Sequence, residues 1–374
     1  MGKKVIAAGH ICIDITPAFP DYGARKIEEA LLPGKLITMG AADVHSGGSV
    51  ANTGLAMKIL GADVTLRGKT GNDEFGEMIR AVLRRYGAED GLIVSEESST
   101  SYSVVIAVPG IDRIFLHNPG ANDTFTSEDI TEEMLEETAL FHFGYPPIMR
   151  SMYENGGAEL EKLMKKARGA GAATSLDLAA VDPLSDAGKA DWKQILGRVL
   201  PYVDIFVPSI EELGFMLDRE RFDRWQEKAG GKDITEVLDL EEDIVPIADM
   251  CMEMGCRILL IKCGAPGMYL RTAGSGEIGR ISRRLGLDAR EWAGRHQFEV
   301  SYVPDRILSG TGAGDTSIAA FLTAMTRGTD PDMCLHLAAA EGASCITEYD
   351  ALSGLKSLEE LTDRIRHGWK KASR

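Results

Sequence analysis

The chain has 374 residues, and 41 Lys and Arg stand against 57 Asp and Glu, which gives a formal net charge of −16. Its 44% hydrophobic and 26% charged residues exclude intrinsic disorder and are typical of a soluble globular protein. The acidic balance argues against binding to nucleic acid or to an anionic membrane, because nothing supplies a broad positive field.

The chain shows no run of about 18 apolar residues, so we predict no transmembrane helix. Its start turns polar too soon for a signal peptide. The six cysteines form no Cys-x-x-Cys pair and lie mostly in apolar segments, which favours buried free thiols over a metal site. We therefore expect a cytoplasmic protein.

Apolar, β-branched runs alternate with amphipathic stretches along the chain. Strands are predicted at six places: 5–8, 62–66, 139–143, 173–178, 203–207 and 258–262. Between and after these strands, helices are predicted at 73–86, at 158–168, and in a last segment that begins with the capping box Ser357 to Glu360. This alternation predicts a mostly parallel sheet covered by helices on both faces.

Two early regions, 11–43 and 101–117, are β-rich and punctuated by Pro and Gly. We interpret them as one small, discontinuous β-sheet lid over the edge of a main α/β domain formed by 1–10, 44–100 and 118–374. Ordinary extension of the main sheet is the alternative interpretation.

Two strongly charged stretches are predicted to be insertions on the surface. The stretch 218–241 is expected to be a solvated excursion. The stretch 280–297 carries five arginines and is expected to form a salt-bridged, exposed helix, with a basic patch as the alternative.

Near the end of the chain, the run from Ser309 to Asp315 reads Ser-Gly-Thr-Gly-Ala-Gly-Asp and precedes an amphipathic helix. Its glycines allow a sharp turn, and N–H groups at a helix N-terminus attract an anion. Asp315 can be explained by compensation of the helix dipole. A carboxylate beside a phosphate site can also accept the proton of an attacking hydroxyl. The loop has neither the Lys of a Walker A loop nor a dinucleotide fingerprint.

A second constellation lies near the start, where Gly47 and Gly48 are followed by Asn52. The Asn amide offers both a donor and an acceptor, as recognition of a polyol requires. Asp14 lies within an apolar strand, where a charge is costly to bury without partners. A structural salt bridge and a hydrogen bond to a ligand hydroxyl are both open interpretations of Asp14.

Together these segments resemble the two signature motifs of the ribokinase/PfkB family of carbohydrate kinases. The first motif is matched by Gly47, Gly48, Asn52 and Gly61, and the second by the run from Thr311 to Asp315. The resemblance implies a ribokinase-like α/β fold: three α/β/α layers around a central, mostly parallel sheet, with a small β-sheet lid.

The resemblance also implies transfer of the γ-phosphoryl group of ATP to a hydroxyl of a small sugar or sugar derivative. Asp315 would be the general base, and the backbone of Gly312, Ala313 and Gly314 the anion hole. Glu212 would organise Mg²⁺ through water. The resemblance assigns the sugar to Asp14, Gly47, Gly48 and Asn52, and the nucleotide to Ser209, Lys262, Gly264, Gly267 and Thr311.

Several positions depart from the family pattern. Ser309 replaces an Asp that usually helps to bind an activating monovalent cation, which leaves activation by K⁺ unsupported. Ser209 and Ala180 replace two amides near the phosphates. Lids in this family often pair, so a homodimer through the lid is one expectation.

Two other functions stay open at this point. The first is a nucleoside kinase of the same fold, for which Phe19, Tyr22 and Phe115 would supply stacking surfaces. The second is a catalytically silent sugar-binding protein.

Overall fold

The computed structural model describes residues 2–21, 23, 26–111 and 113–372. Tyr22, one of the aromatic residues considered for nucleoside stacking, lies outside these residues. The strands within them are β1 (Lys4–Gly9), β2 (Cys12–Pro17), β3 (Ala42–Gly47), β4 (Asp63–Arg67), β5 (Lys69–Gly71), β6 (Ile93–Ser95), β7 (Tyr102–Ile106), β8 (Ile114–Asn118), β9 (Thr138–Gly144), β10 (Ala173–Leu176), β11 (Ile205–Phe206), β12 (Ile258–Lys262), β13 (Gly267–Thr272) and β14 (His296–Val300).

Helices connect most of these strands. The α-helices are α1 (Ile27–Ala30), α2 (Leu55–Ile59), α3 (Glu74–Arg84), α4 (Glu132–Leu135), α5 (Arg150–Gly169), α6 (Asp186–Lys189), α7 (Trp192–Val199), α8 (Ile210–Leu217), α9 (Arg219–Ala229), α10 (Val245–Glu253), α11 (Ser275–Ile278), α12 (Ala289–Trp292), α13 (Ala313–Thr326), α14 (Pro331–Cys345) and α15 (Leu358–Arg366). Short 3₁₀ or π-helical turns lie at Val50–Gly54, Glu89–Gly91, Gly120–Thr124, Ser127–Asp129, Pro146–Ile148, Leu200–Tyr202, Ile234–Val237 and Leu240–Ile244.

The central sheet has eight strands in the order β14-β13-β12-β11-β10-β9-β1-β4. The six strands from β12 to β4 pair in parallel, and β13 and β14 add an antiparallel edge. Alternate residues of β1 face opposite sides: Val5 and Ala7 join one hydrophobic core, and Ile6 and Ala8 join the other. Helices cover both faces, so the predicted three-layer α/β/α fold is confirmed.

A separate four-stranded sheet has the order β3-β2-β7-β8. It combines antiparallel pairs, β2 with β3 and β7 with β8, with a parallel pair between β2 and β7. We call it the small sheet. It is a sheet of its own rather than an extension of the central one.

The predicted strands and helices occur near their expected places. The capping box at the start of α15 is formed, with the Ser357 hydroxyl and the Glu360 carboxylate each accepting from the other residue's backbone N–H. The two antiparallel edge strands, β13 and β14, are not among the six predicted strands, and the half-polar residues of β14 give only a weak alternating pattern. All six cysteines are free and buried, as expected.

The expectation of one exposed helix over 280–297 is wrong. Two four-residue helices, α11 and α12, lie near this stretch, and its last residues belong to β14. Gly286 and Gly294 have φ of +66° each, which interrupts any continuous helix.

The stretch 218–241 is only partly a solvated excursion. Helix α9 exposes its charged residues but buries Trp225, whose ring packs against the Cα of Gly214. No helix among the described residues is long and apolar enough to cross a membrane.

Candidate active site

The carboxyl ends of the parallel strands meet at one edge of the central sheet. His10 follows β1, Tyr145 follows β9 and Asp177 follows β10. Ligands of open α/β sheets bind at this edge. A cavity of about 910 Å³ opens there, between the strand ends, the small sheet and the loop before α13.

The loop before α13 ends on a glycine that the backbone requires. Gly312 is the residue before the helix, with φ of +77°, and a Cβ there would lie 2.2 Å from the Cβ of Ala351. This left-handed conformation turns the chain so that the first N–H groups of α13 begin at the cavity. Asp315 lies in the first turn of α13 and is 6% exposed.

The Asp315 carboxylate accepts hydrogen bonds from three side chains. Asn52 Nδ2 donates to Oδ2 at 3.1 Å, and Thr53 Oγ1 donates to Oδ1 at 3.1 Å. Both residues belong to the π-helical turn Val50–Gly54, which brings neighbouring side chains to one carboxylate. The Tyr145 hydroxyl lies 2.7 and 2.8 Å from the two carboxylate oxygens.

Tyr145 has an unusual backbone. Its φ of 69° puts a bulky residue in the left-handed region, which is sterically costly and is found preferentially at functional sites. Burial raises the pKa of its phenol, and the nearby carboxylates of Asp315 and Asp177 raise it further. Tyr145 therefore stays a protonated donor to Asp315.

The part of the cavity next to the small sheet carries the predicted sugar-binding residues. Asp14 lies on β2, and Gly47 faces it so closely that a Cβ there would lie 2.0 Å from Asp14 Oδ2. Burial raises the pKa of Asp14, while His45 opposes that rise. His10 also lines this region; its buried Nδ1 lies against Gly48 and has no hydrogen-bond partner among the described residues.

The opposite part of the cavity holds a buried cation. Lys262 Nζ donates to Asp177 Oδ1 at 2.8 Å and lies beside the Cα of Gly314. Burial raises the pKa of Asp177, and the ammonium group of Lys262 opposes that rise. Burial alone would lower the pKa of Lys262, but the carboxylates of Asp177 and Glu212 outweigh it and raise the pKa.

The residues present fit a magnesium ion that is bound mainly through water and phosphate. Asp177 Oδ2 is buried and has no hydrogen-bond partner in the described chain, and Glu212 lines the same cavity. Glu212 Oε2 accepts from the Ser209 N–H at 2.7 Å as a helix cap. No cluster of three or more candidate metal ligands is found among the described residues. Mg²⁺ typically takes one or two carboxylates and completes its shell with water and substrate phosphates.

Most of the predicted site residues come together at this cavity. Gly47 lies directly behind Asp14, and Ala313 is the first residue of α13. Gly267 does not line the cavity, since its Cα packs on the backbone of Glu299 in the neighbouring edge strand. The predicted residues that line it are Asp14, Gly48, Asn52, Ser209, Glu212, Lys262, Gly264, Thr311, Gly312, Gly314 and Asp315.

Sequence reasoning missed several residues of the site. Tyr145 and His10 follow predicted strands, so strand ends were the signal that could have identified them. Arg113, for which the sequence leaves open a contact to an acidic or phosphorylated sugar and an exposed position in a hairpin, lies just before β8, and its Nη1 donates to Thr311 Oγ1 in the loop before α13. Phe115 of β8 also lines the cavity, whereas Phe19 does not.

The chain matches the pfkB family of carbohydrate kinases over residues 3–358. A relative described as an uncharacterized sugar kinase from Archaeoglobus fulgidus is 23% identical over 301 residues, which cover 80% of this chain and 98% of the relative. Fructokinase-1 of Zea mays is 31% identical over 173 residues, 46% of this chain and 52% of the relative.

The fold is also found among solved structures. The ribokinase of Arabidopsis thaliana, solved with ribose and ATP, superposes with a TM-score of 0.69. The alignment covers 97% of this chain and 98% of that one at 19% sequence identity. At this identity the similarity establishes the fold.

Proposed function

The chain belongs to the pfkB family of carbohydrate kinases, and from that premise we propose that it transfers the γ-phosphoryl group of ATP to a hydroxyl of a small sugar or sugar derivative. One observation carries the proposal: a buried carboxylate, Asp315, lies in the first turn of a helix whose N-terminal loop opens into the cavity. The ribose and ATP held by the solved ribokinase support this pair of substrates.

The proposed reaction uses Asp315 as general base. The sugar hydroxyl hydrogen-bonds to the carboxylate, and its oxygen attacks the γ-phosphorus while Asp315 accepts the proton. The bond from the γ-phosphorus to the β,γ-bridging oxygen breaks, and ADP leaves. The N–H groups of Gly312, Ala313 and Gly314 stabilise the negative charge of the transferring group.

Lys262 extends this positive region. Its ammonium group is fixed by Asp177 beside Gly314, so it would contact the phosphates without a large rearrangement. Glu212 and Asp177 Oδ2 would hold Mg²⁺, in part through water, and the ion would supply neutralisation of the phosphate charge. Ser209, Gly264 and Thr311 would line the nucleotide.

The sugar would lie between Asp14 and Asn52, above Gly47 and Gly48. A carboxylate and an amide together accept and donate hydrogen bonds, as neighbouring hydroxyls require. The unpartnered His10 Nδ1 supports a polar ligand at this place, because a buried polar atom is seldom left unsatisfied.

The small sheet would act as the lid. It closes one side of the cavity, and Arg113 links it to the loop before α13 through Thr311. Exclusion of water would direct the phosphoryl group to sugar. Ile114 and Leu116 of edge strand β8 are exposed apolar residues, which supports the expected homodimer through this sheet; that expectation stays a prediction.

The proposal is tested by measuring ADP release from ATP and Mg²⁺ with a panel of sugars and nucleosides. We expect at least one sugar to stimulate ADP release by the wild-type chain and by Asp249→Asn, and not by Asp315→Ala. Asp249 is a suitable control because it is a carboxylate on α10 that pairs with Arg271 away from the cavity.

Two results would count against a sugar kinase. Stimulation by nucleosides alone would reassign the enzyme to the nucleoside class. The absence of Asp315-dependent ADP release with every compound would favour a silent sugar-binding protein.

A further inference from the structure

A second cavity, of about 330 Å³, lies at the opposite end of the central sheet from the active site. Gly171 and Ala172, which line it, precede β10, and Asp204 precedes β11. The second cavity thus lies at the amino ends of these parallel strands, whereas Asp177 and the active site lie at their carboxyl ends. Four of the lining residues are arginines: Arg168, Arg280, Arg283 and Arg284.

Backbone contacts hold two of these arginines in place. Arg168 donates to the carbonyl of Pro201. Arg284 Nη1 lies 3.0 Å from the carbonyl oxygen of Leu135 and 3.3 Å from that of Thr138. These contacts fix the guanidinium groups and leave their remaining N–H donors for other acceptors.

The loop that carries Arg280, Arg283 and Arg284 contacts Gly171, which precedes β10. Ser282 Oγ donates to the carbonyl of Gly171 at 2.6 Å. A Cβ on Gly171 would lie 3.1 Å from Arg284 Nη2, so the guanidinium stands directly over this glycine. Arg284 and the start of β10 are thus in direct contact.

The carboxylates nearby do not balance these positive charges. Asp204 is buried and already accepts from Arg257 Nη1 at 3.0 Å and from the Thr174 N–H at 3.1 Å. Arg280 pairs with Glu277 at 2.6 Å. Within the described part of the chain, Arg168, Arg283 and Arg284 form no direct ion pair with a carboxylate.

We propose that this cavity binds a phosphate-bearing small molecule, as a site separate from the active site. Guanidinium groups match the oxygens of a phosphate through paired hydrogen bonds. A net charge of −16 repels anions from most of the surface, so the three arginines without a carboxylate ion pair among the described residues, Arg168, Arg283 and Arg284, are a local exception. Since a water molecule occupies about 30 Å³ in the liquid, the cavity has room for a phosphate and part of a sugar.

The test measures binding of inorganic phosphate and of glucose 6-phosphate to the full chain by calorimetry, with sodium chloride at matched ionic strength as the reference. The double variant R283Q/R284Q removes two of the guanidinium groups. The matched control is Arg290→Gln, since Arg290 is an exposed arginine of the same stretch that does not line the cavity. We expect R283Q/R284Q to bind at least tenfold more weakly than the wild-type chain and Arg290→Gln.

Tighter binding of glucose 6-phosphate than of phosphate would identify an organic ligand, and equal affinities would identify free phosphate. Binding that is the same in all three proteins would place the anion in the active site and overturn the proposal, as would no binding beyond the chloride reference. Circular dichroism and urea unfolding report whether R283Q/R284Q is folded like the wild-type chain. Because the second cavity is separate from the active site, the binding result does not depend on the role of Asp315 in catalysis.

Discussion

Tyr145 is the residue at which the local geometry of the site is most unusual. Its backbone adopts a left-handed conformation, and its hydroxyl lies within 2.8 Å of both oxygens of Asp315. Strain of this kind persists only where the surrounding structure holds it. The arrangement indicates a positioning role: three donors from separate residues fix the plane of the carboxylate that would accept the proton.

We predict that Tyr145→Phe lowers kcat by about tenfold and leaves the KM for the sugar within about threefold. The variant keeps the ring but removes one of three hydrogen bonds to a charged group, each of which contributes about 1.5–3 kcal/mol. Steady-state kinetics of the sugar kinase measure both constants. Tyr153→Phe is the control, since Tyr153 lines the same cavity and packs on Trp192. An unchanged kcat in Tyr145→Phe would contradict the positioning role.

At the scale of single residues, the sequence predicts roles within one short motif and misses contacts between residues that are far apart in the chain. Gly312 and Asp315 belong to one short motif, so their chemistry can be inferred without a structure. The contact between Tyr145 and Asp315 joins residues 170 positions apart and depends on a φ that a tyrosine rarely adopts. Neither spacing nor composition encodes that contact.

At the scale of elements, the small sheet and the loop before α13 form the contact on which closure of the active site would depend. Arg113 and Thr311 are 198 positions apart and meet across the cavity. A lid that excludes water protects the phosphoryl group from hydrolysis.

We predict that Arg113→Ala lowers the ratio of sugar phosphorylation to sugar-independent ATP hydrolysis by about tenfold. The variant loses the contact from the small sheet to Thr311, so water would enter more easily. ADP release with and without sugar gives the ratio. Leu36→Ala is the control, because Leu36 is 97% exposed in the segment between β2 and β3. Equal ratios in Arg113→Ala and the wild-type chain would exclude this role for Arg113.

The strands and helices also show where hydrophobic and charge patterns in the sequence predict secondary structure well and where they do not. Buried parallel strands such as β9 and β12 form continuous apolar runs and are readily predicted. In 280–297 the density of charge suggests a helix, but the stretch is broken by glycines with positive φ and ends in an edge strand. In α9, Trp225 and Ala229 are buried in the core although most residues of the helix are charged or polar.

At the scale of the whole molecule, the net charge of −16 coexists with concentrated positive charge at two places. Lys262 and the N-terminus of α13 supply it at the active site, and the arginines supply it at the second cavity. The negative net charge of the whole chain therefore does not argue against a phosphate ligand, because the positive charge is local.

Buried carboxyl groups should also make the stability of the whole molecule depend on pH. Glu341 on α14 is fully buried; its Oε1 accepts from the Lys356 N–H at 3.0 Å, and its Oε2 has no partner in the described chain. Burial raises its pKa from 4.5 to about 8. The folded state therefore holds this proton over a range in which the unfolded state has lost it, so stability falls as pH rises from about 5 to about 8.

We predict that Glu341→Gln loses this part of the pH dependence. The free energy of unfolding of the wild-type chain should fall relative to that of the variant by on the order of a few kcal/mol between pH 5 and pH 9. The side-chain amide of Glu341→Gln also lowers the free energy of unfolding, because its buried N–H group gains no acceptor. That effect does not vary with pH. Urea unfolding at pH 5, 7 and 9 measures the difference. Parallel profiles for the two proteins would contradict the buried, protonated state of Glu341.

If Asp315 accepts the proton of the sugar hydroxyl, its carboxylate is needed for phosphoryl transfer and not for sugar binding. The most direct measurement compares kcat and sugar affinity in the wild-type chain and Asp315→Asn, with the sugar that gives the highest rate of ADP release. We predict a fall in kcat of roughly 10²–10⁴ with sugar affinity largely intact, because the amide keeps the shape of the carboxylate and cannot accept the proton. A loss of sugar affinity with kcat unchanged would contradict the claim and assign Asp315 to recognition.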